Sequence, residues 1–470
     1  MSLLAAYLTP HPPLIIPLIG RGEEKKIQRT IDSMEEVGRR IAALKPKTIV
    51  FITPHGPMFS DGIGIYSDPQ LEGDFHRFGE NTLSFSMGKD DSLIRQFQKE
   101  MHYEGIATAL IDKESAREYR VSNHLDHGIL VPLYFIQKYY KDFQGVGLTY
   151  GLFSYGENYR VGAALGRAIE KNQKSTVIIA IGDLSHRLKE EGPYSYHPDG
   201  PEFDNQLQEK ILTKNHLGIV TMSPTFCEKA GECGKRSVDM LLGALDQSVY
   251  TVESLSYEGP FGVGYAVMAF EDIRSGGDSI LEEIVEDRRA HVARKRSSED
   301  IHVRLARETI ETYVRTHRVL DPSKSPYGDC QCFETKDFGA FVSIKNSHGL
   351  RGCIGTYRPT KKNLGEEIIH SAIAAATEDP RFEAITKEEL GDLVLSVDLV
   401  HPPKSAAGIE DLDPLKFGVI VRSGYKSGLL LPNLEGVDTP EEQLRIVLGK
   451  AGIREHESYE IEIFEVERYE

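Results

Sequence analysis

Thr48–Gly56 reads TIVFITPHG, and Leu3–Pro13 reads LLAAYLTPHPP. Each is an apolar, β-rich run that stops at Thr-Pro-His, so each predicts a buried strand that hands a histidine to the loop beyond it. Thr176–Ile181, TVIIAI, is a third such run and is followed by Gly182-Asp183-Leu184-Ser185-His186. In a parallel α/β sheet the crevice outside the carboxyl ends of the strands is where ligands bind. His11, His55 and His186, one per strand end, are therefore the candidate site around which the rest of the chain is read.

Between the first two runs, Glu23–Leu44 places Ile27, Ile31, Met34, Val37, Ile41 and Leu44 at steps of three and four, and Pro46 follows. This predicts an amphipathic helix and, with its flanking strands, a right-handed β-α-β unit. Further on, Ser122–Gly128 precedes an apolar helix at 129–139, which Asp126 or Asn123 can cap, so His127 is expected near a positive helix N-terminus. Strand and helix alternate through a single returning strand at 257–270. The fold class expected for residues 1–272 is α/β, with a mainly parallel central sheet and helices on both faces. Residues 273–300 mix acidic and basic clusters and read as a solvated helical linker. Residues 301–470 mix helices and strands without strict alternation, which predicts a second, α+β domain.

The chain has 470 residues, a formal net charge of -17, 40% hydrophobic and 27% charged residues. The negative field argues against nucleic acid or an anionic membrane as partner. No apolar run is long enough for a membrane span and no signal segment precedes the first strand, so the expected location is cytoplasmic. Five cysteines, Cys227, Cys233, Cys330, Cys332 and Cys353, are an odd number without zinc spacing and do not read as a disulfide framework. Oligomeric state is left open, a homo-oligomer included.

Two histidines and one carboxylate on a single face leave open positions on Fe(II), a donor set suited to oxygen chemistry. A neutral imidazole can also take a proton from a bound hydroxyl near neutral pH. The pieces His11-Pro12-Pro13, Pro54-His55-Gly56, Asp126-His127-Gly128 and Gly182-Asp183-Leu184-Ser185-His186 resemble the class III extradiol dioxygenase family, whose LigB-like fold also includes Memo proteins. The resemblance implies that His11 and His55 bind metal, that His186 moves protons, and that His127 and Asp183 belong to the catalytic pocket. It implies Fe(II) as cofactor, with copper, zinc or no metal as alternatives, and a small aromatic substrate with dioxygen. The family's third ligand is a glutamate before a late helix, which points to Glu232. A Cys-Gly pair supplies a cysteine there in Memo proteins, which makes Cys233 the second choice, and Glu258 is a third. For Glu232 the competing reading is an ordinary carboxylate at a helix N-terminus.

In the second domain, Leu350-Arg351-Gly352-Cys353-Ile354-Gly355-Thr356 resembles the AMMECR family, and the likeness continues through 376–382, 397–402 and 424–432. That family implies a fold without a reaction. Cys353 between two glycines could be a nucleophile with His401 or His348 as base, against the alternative of a small buried strand residue. Arg351, Cys353, Arg381 and Lys426 form a candidate ligand-binding set. The fusion resembles the AmmeMemoRadiSam grouping, which implies a radical SAM partner protein. Two functions follow: a non-haem iron extradiol dioxygenase-like oxidoreductase, or a Memo-like metal- or peptide-binding accessory protein without ring cleavage.

Overall fold

The three runs that end in histidine loops lie side by side in one sheet. The computed structural model describes residues 2–470 apart from 60, 61, 193, 325, 347, 348, 433–436, 438, 455 and 456, and His348 lies outside the described residues. The chain divides into units 1–287 and 288–470. In chain order the strands of the first unit are β1 (Leu3–Thr9), β2 (Thr48–Thr53), β3 (Gly62–Tyr66), β4 (Gln70–Asp74), β5 (Ser84–Lys89), β6 (Ala107–Ile111), β7 (Gln144–Thr149), β8 (Thr176–Ile181), β9 (Ser248–Glu258) and β10 (Tyr265–Ser275). Their sheet order is β4-β5-β7-β2-β8-β1-β10-β9, with β3 pairing β7 and β6.

From β5 to β1 the pairings are parallel. Every residue of β2 and of β8 is buried, as expected for strands covered on both faces. Ala6, Leu8, Val50, Ile52, Ile178 and Ala180 face one core, shared with helices Asp91–Glu104, Tyr155–Asn172 and Lys235–Ala244. Ala5, Tyr7, Ile49, Phe51, Val177 and Ile179 face the other, against helices Gln28–Leu44 and His127–Gln137. In register, Thr9 is opposite Ile181 and Ile52 opposite Ala180, so β1, β8 and β2 finish at one edge of the sheet.

One departure from the sequence reading concerns the end of this unit. The single strand expected at 257–270 is an antiparallel hairpin, β9 with β10, turning through Gly259–Gly264. Pro260 and three glycines, Gly259, Gly262 and Gly264, break the run, and β9 alternates exposed with covered residues, a pattern that an apolar scan passes over. Another departure concerns cysteine: Cys330 and Cys332 are joined by a disulfide, a link between near neighbours rather than a framework.

The second unit contains two antiparallel sheets. The first comprises β11 (Gly339–Asn346), β12 (Gly349–Gly355), β13 (Val394–Val400) and the last strand of the chain, β18 (Val466–Tyr469), in the order β12-β11-β13-β18. The other comprises β14 (Lys404–Ala406), β15 (Gly418–Ser423), β16 (Lys426–Leu430) and β17 (Glu460–Phe464), in the order β14-β17-β15-β16. Ala340, Val342, Ile344, Leu395, Val397 and Leu399 turn one face of the first sheet toward helices Ile301–Thr316 and Leu364–Thr377. Gly352 lets the second of these helices come close, since a Cβ there would stand 2.1 Å from the Ala375 carbonyl oxygen. This part is α+β. Among the described residues, no helix is long and apolar enough to cross a membrane.

Candidate metal centre

His11 lies two residues past β1, and His55 two residues past β2. Because those strands end level on either side of β8, the two imidazoles meet, with Nε2 to Nε2 2.7 Å apart. The loop after β8 brings a third donor by a different route. Gly182 packs directly on Gly234, where a Cβ would come within 2.1 Å of the Gly234 Cα, so only glycine lets the two turns touch. That contact seats Cys233 beside Asp183, whose backbone N–H donates to Cys233 Sγ over 3.3 Å. One donor atom from each of His11, His55 and Cys233 lies within 4.8 Å of the others.

Among the described residues, Glu232 is not in this group. Its Oε2 accepts the Lys235 N–H at 2.6 Å, where it stabilises the first turn of helix Lys235–Ala244. Of the two candidates for the third ligand, Cys233 shares the group with the two histidines, while the helix N-terminus holds the Glu232 carboxylate. Glu258 lies elsewhere as well, accepting from Thr30 N–H at 2.7 Å and Thr30 Oγ1 at 2.8 Å, at the start of helix Gln28–Leu44.

The other candidates surround the three donors. Asp183 Oδ1 accepts the His11 backbone N–H at 3.0 Å and so fixes the loop, while His11 Nδ1, 3.4 Å from the same oxygen, makes no hydrogen bond to the described residues. His127 opens its helix under the Asp126 cap, and its ring stacks on His55 at 4.3 Å and leans on Phe78 at 5.2 Å. Asp126 ties the two strand-end loops together by accepting from Thr53 Oγ1, Tyr66 Oη and Gly128 N–H. The His186 ring meets Tyr194 edge-on at 5.7 Å, and its buried Nδ1 makes no hydrogen bond to the described residues. Sequence reading misses Phe78, which has no pattern of its own and is marked only by its neighbours, and it gives Thr53 of the Thr-Pro-His motif no role, although Thr53 Oγ1 donates to Asp126.

Burial depresses the basicity of all four imidazoles, His127 to about 4, while Asp126 partly offsets the effect at His55. The rings are therefore neutral at pH 7, the state that a metal ligand or a proton acceptor needs. Burial pushes the Asp183 carboxyl up to about 7 and the Cys233 thiol well above its usual range. A bound cation acts in the opposite sense on both groups.

The donor set fits a metal. Two neutral imidazole nitrogens facing each other at 2.7 Å need open only to roughly 3.3 Å to share an ion with tetrahedral bonds of about 2.0–2.1 Å. Asp183 Oδ1, 3.4 Å from the unbonded His11 Nδ1, is the nearby carboxylate that could orient this ring once it ligates an ion.

The loop that carries Asp183 and His186 is held from behind. Asp204, fully buried, accepts the Ser185 N–H at 2.7 Å and the Tyr257 hydroxyl at 2.6 Å, and Gly264 exchanges backbone bonds with Leu184 and Ser185. Burial raises the Asp204 carboxyl from 3.8 to about 7, so the folded state holds a proton that the unfolded chain has released. The resulting stabilisation is complete below pH 3.8 and is lost as pH rises to about 7. Parent protein is expected to lose stability relative to Asp204→Asn by about 1.4 kcal/mol per pH unit between pH 5 and 7, and to level off above, in urea unfolding at each pH.

In the second unit the four residues picked from sequence separate. Cys353 and Arg381 come together, with Arg381 Nη2 3.4 Å from the Cys353 carbonyl oxygen. The Arg351 guanidinium is bound to Glu389 at 2.6 Å and to the Glu383 carbonyl, and Lys426 to Glu457 at 2.8 Å. His401 lies past the end of β13 and pairs with Glu467 at 2.8 Å.

Fold and site together define an α/β protein with a histidine-rich centre at the carboxyl edge of its parallel strands. The family described as catalytic LigB subunit of aromatic ring-opening dioxygenase matches residues 5–268, and the AMMECR1 family matches residues 303–470. The chain belongs to the LigB family and carries an AMMECR1 domain after it. A Clostridium acetobutylicum protein is 44% identical over all of this chain and 99% of its own length. A Thermotoga maritima protein is 51% identical over 36% of this chain and 96% of its own. Among solved structures, a Pyrococcus horikoshii protein is similar with TM-score 0.34 and 30% identity, covering 36% of this chain and 89% of its own.

Proposed function

We propose that the N-terminal domain, residues 1–272, binds one metal ion through His11, His55 and Cys233 and acts with dioxygen on a small catechol-type aromatic substrate. The convergence of three ligand atoms within 4.8 Å supports this most directly. Bound Fe(II) would supply open coordination positions for substrate and dioxygen. The chain's own groups divide the remaining work. His186, neutral and with an Nδ1 that bonds to none of the described residues, accepts a proton from a substrate hydroxyl. Phe78 and Tyr194, one against His127 and one against His186, offer aromatic walls to a planar ring. Asp183 holds His11 in place, and Asp126 fixes the His55 and His127 loops to each other.

The thiol among the donors favours a second reading. A soft sulfur ligand suits copper or zinc, and a Memo-like accessory module working with a radical SAM partner would need metal binding without ring cleavage. Loading full-length protein with Fe(II) under anaerobic conditions, followed by elemental analysis and oxygen-uptake measurements, separates the two. One iron per chain and uptake that depends on added catechol are expected. Stoichiometric metal with no catechol-dependent uptake would leave the accessory reading, and a chain that retains no iron would end the dioxygenase reading.

A further inference from the structure

The Leu350–Thr356 motif plays no part in the proposed chemistry, yet it forms an ordered polar cluster. Ala340, Val342 and Ile344 of β11 face the helices, so the intervening Ser343 points to the opposite side of the sheet. Ser343 pairs with Cys353 on β12 and with Ser396 on β13, which places a thiol and two hydroxyls in a row across three strands. Ser343 Oγ lies 3.2 Å from Cys353 Sγ.

Two arginines flank this row, and each is held by a carboxylate that is almost entirely buried. Asp379, 4% exposed, accepts the Cys353 N–H at 2.9 Å and takes Arg381 through Nε and Nη2 at 2.9 and 2.7 Å. Asp398, 1% exposed, takes Arg468 through the same two nitrogens at 2.7 and 2.9 Å. Arg381 Nη2 also lies 3.4 Å from the Cys353 carbonyl oxygen, and Asp398, which holds Arg468, lies two residues from Ser396 on the same face of β13. Among the described residues, neither Nη1 makes a hydrogen bond, and the two side chains remain 54% and 39% exposed. A pure brace has no use for two cations with outward donors on the sheet face that carries a partly buried thiol. Buried forks that fix the orientation of both guanidiniums are instead what recognition of an anionic group requires.

We propose that Cys353 is the nucleophile of a second site, which takes a small electrophile bearing a carboxylate or phosphate group held by Arg381 and Arg468. In the step, the sulfur lone pair forms an S–C bond at the electrophilic carbon. The bond from that carbon to its leaving group breaks with its electron pair, and the thiol proton passes to solvent. The class of substrate is therefore an anionic alkylating or acylating agent, and no oxidant or reductant is required.

Iodoacetate and iodoacetamide test this, since they differ in charge and share the leaving group iodide. Alkylation of Cys353 in the full-length chain is followed by mass spectrometry of its peptide, in buffer and in urea. The iodoacetate-to-iodoacetamide rate ratio is expected to be about tenfold higher in the folded protein than in the unfolded chain, because fixed positive charge concentrates the anion. Arg381→Gln and Arg468→Gln should each lower that ratio several-fold while the iodoacetamide rate, which reports an intact and accessible thiol, stays within about twofold. Cys353→Ser should abolish labelling of the peptide. Equal ratios in folded and unfolded protein, or a ratio that neither glutamine variant moves, would overturn the proposal. Should Arg468→Gln fail to fold, Arg381→Gln, on the more exposed guanidinium, decides it alone.

Discussion

Cys233→Ser protein is expected to lose its metal ion under conditions where Glu232→Gln protein keeps it. The serine hydroxyl is nearly the same size as the thiol but does not ionise near neutral pH, so one of three donors disappears while the turn survives. Loss of outer-shell support alone costs about 10–100-fold in metal affinity, and loss of a direct ligand should exceed that range. Glu232→Gln leaves an acceptor for the Lys235 N–H and removes only the charge at the helix N-terminus, a change of about 1 kcal/mol in stability. Titration of each variant against a chelator of known affinity gives both numbers. If Glu232→Gln released the ion and Cys233→Ser held it, the donor set proposed here would be wrong, whatever the activity toward catechols.

A comparable loss, in stability rather than in binding, is expected two residues further on. Lys235 and Asp239 are both completely buried, with Nζ 2.6 and 2.7 Å from the two carboxylate oxygens and 3.9 Å from the centre of the Tyr155 ring. Lys235→Ala leaves Asp239 without its counter-charge in the core, and unfolding in urea should show a loss of about 3–5 kcal/mol. Lys235→Met combined with Asp239→Leu removes both charges and fills the space, so most of that loss should be recovered. If the single and double variants were equally unstable, packing rather than the unpaired charge would be the cause. Since the same helix starts directly after Cys233 and Gly234, the single variant should also bind metal more weakly.

Much of the architecture could be read from local pattern. Continuous β-branched runs such as Thr176–Ile181 become strands buried on both faces, and the three- and four-residue spacing from Ile27 to Ile41 becomes a helix with one buried side. The β9–β10 hairpin escaped because β9 is half exposed and its turn interrupts what looked like one run. At the candidate centre, the pattern named the histidines because each follows a strand whose end it shares with its neighbours. It could not choose between Glu232 and Cys233. That choice depends on which way each side chain leaves a turn, and the turn is fixed by contact between Gly182 and Gly234. Arg468, 70 residues from Asp398 in sequence, was likewise invisible until strand pairing set the two opposite each other.

The sequence by itself determined the α/β class of the first domain, the α+β class of the second and the strand ends from which a site would be built. Periodicity and hydrophobic runs act over a few residues and carry that information within the chain. Tertiary structure alone decided which donors face one another: the thiol rather than the carboxylate beside His11 and His55, and the two arginines beside Cys353. Those choices arise from backbone approach and strand register between distant segments, which no local spacing encodes.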